Sequence, residues 1–247
     1  MRRIALHRTT RAALLALATV ATVLVAGHAA RAWAAEGPPP DWAGLGRYAA
    51  ANAALAAPAA GERRIVFMGD SITEGWTRGA PDGPFADPAN VNRGISGQTT
   101  PQMLVRFRSD VIALRPAAVV ILAGTNDIAG NTGPATLDVI EGHIASMAEL
   151  ARAHGIRVVL CALVPASAYY WNPAVQPAPQ IVALNARLRA LAEREGHAFV
   201  DLHTPMADTQ GGLRRELGED GVHPNATGYA LMKPLVEQGI RRALQAR

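Results

Sequence analysis

A single cysteine, Cys161, stands in a chain of 247 residues. One sulfur permits neither an intramolecular disulfide framework nor a multi-thiolate zinc site, because each needs several. Aromatic residues are scarce at 5% and charged residues make up only 18%, without blocks of like charge, so the chain does not read as a disordered tail. It has no internal repeat and no G-x-x-x-x-G-K-[ST] phosphate loop. His143 and His154 fall on one expected helix, too far apart for adjacent turns of one face and without a third ligand, so neither a metal nor any other cofactor is expected. What the chain has in quantity is apolar side chains, 49% of the total, enough for a sizeable core in one domain.

The formal charge of +4 would suit a nucleic acid or an anionic membrane, but the positions of the arginines argue otherwise. Arg2, Arg3, Arg8 and Arg11 open the chain with no acidic residue among them, and residues 12–26 follow as an apolar run. That run is shorter than the roughly 20 residues needed to cross a bilayer. Two small-x-small sites come next, Ala30-Arg31-Ala32 and Ala32-Trp33-Ala34, and no cysteine near them offers a lipid attachment point. The segment reads as a secretory signal, residues 1–34, cleaved after Ala34, leaving residues 35–247 as one secreted or periplasmic domain. Without Arg2, Arg3, Arg8, Arg11 and Arg31, the 24 basic residues become 19 against 20 acidic ones, a formal charge of −1. No nucleic-acid partner and no stable membrane insertion of the mature chain are expected.

Past a Gly37-Pro38-Pro39-Pro40 lead-in, short apolar runs alternate with longer helical patterns. Residues 64–68, 91–95, 117–123, 157–164 and 198–202 read as strands, and residues 101–114, 134–154, 180–194 and 225–244 as helices. Thr100-Pro101 and Gly133-Pro134 place proline where a helix begins. Alternation of this kind implies a mainly parallel, five-stranded sheet in a three-layer α/β/α sandwich. Ligands in such sheets bind beyond the carboxyl ends of the strands.

Chemistry-bearing residues do gather there. The first strand leads into Gly69-Asp70-Ser71-Ile72-Thr73, the second into Asn92-Arg93-Gly94-Ile95-Ser96-Gly97, and the third into Gly124-Thr125-Asn126-Asp127; Asp220-Gly221-Val222-His223-Pro224 follows the last. Taken singly, Ser71 is a helix cap, Gly94 a turn glycine, Asn126 an Asx turn and His223 a loop histidine bonded to backbone. Together they supply a hydroxyl nucleophile, a base, an acid and amide donors, the parts of an acyl-transfer site. The G-x-S-x-G elbow is not met, since Thr73 occupies its last position.

These four segments resemble the four blocks of the SGNH hydrolases, the GDSL esterases and lipases, over nearly all of residues 64–230. The resemblance implies the flavodoxin-like form of the three-layer sandwich, a Ser71 nucleophile, a His223 base, an Asp220 acid, and an oxyanion hole of the Ser71 and Gly94 N–H groups and the Asn126 amide. The lack of a side chain at Gly94 would let substrate approach its amide. Asp201, which follows a strand, is a rival acid without a match to the blocks. Asp70 and Asp127 are expected to make local structural hydrogen bonds, and Cys161, inside an apolar run, to be a buried small hydrophobe.

Two loops are expected to set selectivity, residues 75–90 with Trp76 and Phe85, and residues 165–179 with Tyr169, Tyr170 and Trp171. Trp76, Tyr169, Tyr170 and Trp171 are candidate walls of an acyl or sugar pocket. No long apolar lid is evident. The expected activity is a secreted serine esterase cleaving short O-acyl groups, acetyl esters of carbohydrates foremost, with a small-molecule or glycan ester as its partner. Its rivals are a lysophospholipase or thioesterase acting on longer chains, and a catalytically dead carbohydrate-binding relative.

Overall fold

The computed structural model describes residues 41–80 and 82–245, and the expected signal and the start of the expected domain, residues 1–40, lie outside them. The elements run α1 (Ala49–Ala54), β1 (Ile65–Gly69), α2 (Ser71–Gly79), β2 (Asn90–Gly94), α3 (Thr100–Asp110), β3 (Ala118–Leu122), α4 (Thr125–Ile128), α5 (Leu137–Ala153), β4 (Arg157–Cys161), α6 (Pro177–Glu195), β5 (Ala198–Val200) and α7 (Ala226–Gln245). Single 3₁₀ turns stand at Pro84–Ala86, Ile112–Leu114 and Arg215–Leu217.

All five strands are parallel, in the order β2-β1-β3-β4-β5. Strands β1 and β3 are buried along their whole length, so they read as unbroken apolar runs rather than as alternating patterns. Alternate side chains still serve opposite faces. Val66, Met68, Val119 and Ile121 pack with Met103 and Phe107 of α3, Ile144 and Met147 of α5 and Leu188 of α6. Phe67, Val120 and Leu122 face the other way, onto Ile72 and Trp76 of α2 and Met232 and Val236 of α7.

The observed bounds depart from the sequence pattern where capping decides them. Helix α3 starts on Thr99, whose hydroxyl and Gln102 form a reciprocal capping box, and it ends at Asp110 before a 3₁₀ turn. Helix α5 starts after Thr136, whose hydroxyl accepts the Val139 N–H, and not at Pro134. Strand β4 stops at Cys161, and the apolar residues 162–164 continue as buried loop. The pattern missed α2 altogether.

Successive strands leave β1 in opposite directions, β2 to one side and β3 to the other. The chain therefore opens a crevice between the carboxyl ends of β1 and β3, the switch point at which doubly wound sheets hold their ligands. The segments after β1 and β3 carry Ser71 and Asn126.

Candidate active site

Ser71 is the first residue of α2. Asp70 caps that helix, its carboxylate accepting the Ile72 N–H at 3.0 Å, and this bond fixes the sharp exit from β1. Burial pushes the Asp70 carboxyl up to about 6, against the opposing pull of the Ile72 N–H and of nearby His223. As a first-turn N–H, that of Ser71 has no partner within the helix, and none is present among the described residues.

The Ser71 hydroxyl lies 2.9 Å from Nε2 of His223, and the other ring nitrogen, Nδ1, lies 2.7 Å from Asp220 Oδ2. The second Asp220 oxygen accepts the N–H groups of His223 at 2.7 Å and Val222 at 2.9 Å. Burial alone would raise the Asp220 carboxyl, but those N–H groups and the His223 ring hold it below its ordinary value. A carboxylate kept ionised beside Nδ1 holds the proton on that nitrogen and leaves Nε2 free to accept the serine proton. Asp201 is elsewhere, accepting from Thr204 and paired with Arg189 at 3.0 Å.

On the oxyanion side the expectation for Gly94 is corrected. Its N–H is already donated to Asn92 Oδ1 at 2.8 Å. It is a glycine because the end of β2 packs against the first turn of α2, where a methyl group would collide with the Glu74 N–H and come within 2.8 Å of the Asp70 carbonyl. The glycine that lines the site is Gly97, three residues on, in the left-handed region at φ +76° and with no partner for its N–H among the described residues. Glu74 of α2 accepts both the N–H and the hydroxyl of Ser96, at 3.0 and 2.5 Å, which fastens this turn to the helix that bears Ser71.

Beneath the turn lies Arg106, fully buried. Its guanidinium donates to the carbonyls of Gly69 at 3.1 Å and Arg93 at 2.8 Å, to Gln98 Oε1 at 2.6 Å and to Asp110 at 3.0 Å. One planar fork thereby ties the ends of β1 and β2 to the loop between β2 and α3. Asn126, on α4, donates through Nδ2 to the Gln98 carbonyl at 3.0 Å and accepts at Oδ1 from Asn131 at 3.0 Å. Asp127 accepts the N–H and hydroxyl of Thr100 at the start of α3, the structural part expected of it.

Ser71, Ser96, Gly97, Asn126, Asn131, Tyr170, Trp171 and His223 line an open depression of about 250 Å³. Trp171 stacks on Tyr169, lies 6.4 Å from the His223 ring, and donates its indole N–H to Asn131 at 3.1 Å. Tyr170 is 67% exposed. Tyr169 is wholly buried, its hydroxyl 3.3 Å from that of Thr125, so it backs the wall instead of forming it. Trp76 corrects the expectation outright: it lies on the core face of α2 with Ile72, among Phe67, Phe85 and Tyr229. Cys161 is buried, and burial pushes its thiol up to about 12. Among the described residues no cluster of His, Cys, Asp or Glu could hold a metal ion.

Gly97, Asn131 and Arg106 were missed as site residues from sequence. Only Gly97 carried a usable signal, since it is the glycine past the expected strand end and Gly94 is not.

A family model of GDSL-like lipases and acylhydrolases matches residues 67–231. The chain is 30% identical over 179 residues to esterase TesA of Pseudomonas aeruginosa, covering 67% of this chain and 81% of that protein. Its fold superposes with a TM-score of 0.78 and 49% identity on a GDSL-like lipase from Bacteroides thetaiotaomicron, over 81% of this chain and 98% of that one. An acetylxylan esterase from Geobacillus stearothermophilus shares the fold at a TM-score of 0.57 and 21% identity, over 72% of this chain and 94% of that one. The match over residues 67–231, which contain all four strand-end segments, together with the likeness to TesA, makes the chain a member of the GDSL-like lipase/acylhydrolase family, a hydrolase acting on esters.

Proposed function

We propose that the protein is an exported serine esterase that removes short acyl groups, acetyl foremost, from carbohydrate hydroxyls. The observation that carries the mechanism is the unbroken hydrogen-bond relay Ser71–His223–Asp220 opening onto the depression. His223 Nε2 takes the Ser71 proton as Oγ bonds to the ester carbonyl carbon, and the carbonyl oxygen becomes an oxyanion. The N–H groups of Ser71 and Gly97 and the free N–H of the Asn126 amide receive that charge, each donor contributing roughly 2.7–4 kcal/mol to the barrier reduction. Collapse expels the alcohol, protonated by His223, and leaves an acyl-Ser71. A water deprotonated by His223 then attacks the acyl carbon, releasing the acid and returning the proton to Ser71.

The lining supports a short acyl group. Apart from Tyr170, Trp171 and the backbone of Gly97, the side chains that line it are polar, and among the described residues lining it no aliphatic side chain is present to sheathe a long chain. The exposed Tyr170 ring beside Trp171 suits a sugar face. The Geobacillus relative's name, acetylxylan esterase, agrees with this reading. Export rests on the basic and apolar character of residues 1–34, and N-terminal sequencing of the secreted protein, expected to begin at Ala35, tests it.

The mechanism is tested by Ser71→Ala, expected to lower ester turnover by about four orders of magnitude or more. A fluorophosphonate probe should label Ser71 and no other residue; labelling elsewhere would refute the assignment. An ester series from acetyl to palmitoyl tests the substrate: an optimum at long chains would favour a lysophospholipase or thioesterase instead.

A further inference from the structure

A side-chain amide is nearly symmetric in shape and opposite in chemistry at its two ends, one a double donor and the other an acceptor. At Asn126 the difference is decisive, because a carbonyl turned into the depression would repel the oxyanion that an N–H would hold. The partners that set its sense are one-way groups. The Trp171 indole N–H can only donate, and it does so to Asn131 Oδ1 at 3.1 Å. The Gly97 carbonyl can only accept, and it does so from Asn131 Nδ2 at 3.1 Å. Asn131 is thus fixed end for end by a pure donor and a pure acceptor, and reversing it would set N–H against N–H and oxygen against oxygen. Its Nδ2 also donates to Asn126 Oδ1 at 3.0 Å. Asn126 Nδ2 in turn gives one hydrogen to the Gln98 carbonyl, again a pure acceptor, which leaves its other hydrogen for the depression.

We propose that Asn131 is a positioning residue of the oxyanion hole. It takes its sense from the Trp171 indole and passes that sense to Asn126, so that an N–H and not a carbonyl meets the developing charge, while its bond to the Gly97 carbonyl steadies the neighbouring backbone donor. The proposal rests on the serine-esterase reading above. It makes the aromatic wall and the oxyanion hole one hydrogen-bonded unit, in which the indole that bounds the substrate also sets the direction of the donor.

The test is steady-state hydrolysis of p-nitrophenyl acetate by the full chain and by Asn131→Asp, Asn131→Ala, Trp171→Phe and Ser71→Ala, with thermal melts of each. Asn131→Asp keeps the shape, but its carboxylate accepts where Asn131 donates to Gly97 and Asn126. It is expected to lower kcat about 100-fold with KM within about threefold of the parent. Asn131→Ala removes all three side-chain bonds without placing a wrong-way acceptor and is expected to lose about tenfold. A space-filling role would give the reverse order, since the aspartate fills the space and the alanine does not. An Asp variant at least as active as the Ala variant, or within about threefold of the parent in kcat, overturns the proposal. Should Asn131→Asp fail to fold, Trp171→Phe decides: it keeps a ring in the wall and removes the donor, and an unchanged kcat overturns the proposal while a loss of roughly three- to tenfold at unchanged KM supports it. Ser71→Ala separates the two failures. If it retains activity the serine reading falls; if it is dead and Asn131→Asp matches the parent, only the role of Asn131 falls.

Discussion

The molecule holds two aromatic groups with similar ingredients and different chemistry. Phe67, Trp76, Phe85 and Tyr229 form one between the sheet and helices α2 and α7, with Trp76 stacked on Tyr229 at 5.4 Å. Tyr169, Tyr170 and Trp171 form the other in the loop between β4 and α6, with Trp171 stacked on Tyr169 at 4.8 Å. What separates them is the fate of the indole nitrogen. That of Trp76 is buried with no hydrogen-bond partner among the described residues, whereas that of Trp171 donates into the amide network of the site. Trp76 contributes area alone, and Trp171 contributes direction as well. Asp70 acts on both groups: its charge helps hold the phenols of Tyr169 and Tyr229 above their ordinary values, behind the larger effect of burial.

The comparison breaks first at its buried member. Trp76→Ala should lower unfolding stability by about 3–5 kcal/mol in urea titrations, while whatever folds retains its kcat. If turnover per folded molecule collapses with stability intact, Trp76 acts in the site after all. Asp70 comes next. Its carboxyl rises from an ordinary 3.8 to about 6, so between these values the folded protein holds a proton that the unfolded chain has released. Stability from this group is therefore lost as pH rises from about 4 to 6. Asp70→Asn lacks that loss and should gain on the parent by up to about 3 kcal/mol over the interval, as read from unfolding midpoints at each pH.

Trp171→Ala should leave the melting temperature near that of the parent while lowering kcat/KM about tenfold, or roughly 1.4 kcal/mol. The smallest effect belongs to Tyr170→Ala. It should alter stability by less than about 0.5 kcal/mol, leave p-nitrophenyl acetate hydrolysis unchanged, and raise KM for acetylated oligosaccharides about threefold. A KM equal to that of the parent would remove Tyr170 from the sugar subsite.

The same contrast explains what could be read from sequence. Strands β1 and β3 are buried on both faces, so their apolar runs announce them, and the rule that ligands gather at strand ends brought Ser71, Asn126 and His223 forward. Trp76 misled because α2 opens inside the serine motif and contains Gly75 and Gly79, which read as loop. Its helical face, Ile72 with Trp76, emerges only once Asp70 is seen to cap it. Gly94 misled because it closes β2 only three residues before Gly97, and its N–H proves to be engaged by Asn92. Arg106 and Asn131 left no local trace, since their importance comes from carbonyls and amides brought to them by distant segments.

Ser71 and His223 are 152 residues apart. The histidine loop leads into α7, and Tyr229 on that helix donates its hydroxyl to the Ile72 carbonyl in the first turn of α2 at 2.8 Å. Docking of the last helix therefore brings His223 to Ser71. In a chain synthesised from its amino end, Ser71 meets its imidazole partner last, and the Ser71–His223–Asp220 relay closes only when α7 docks.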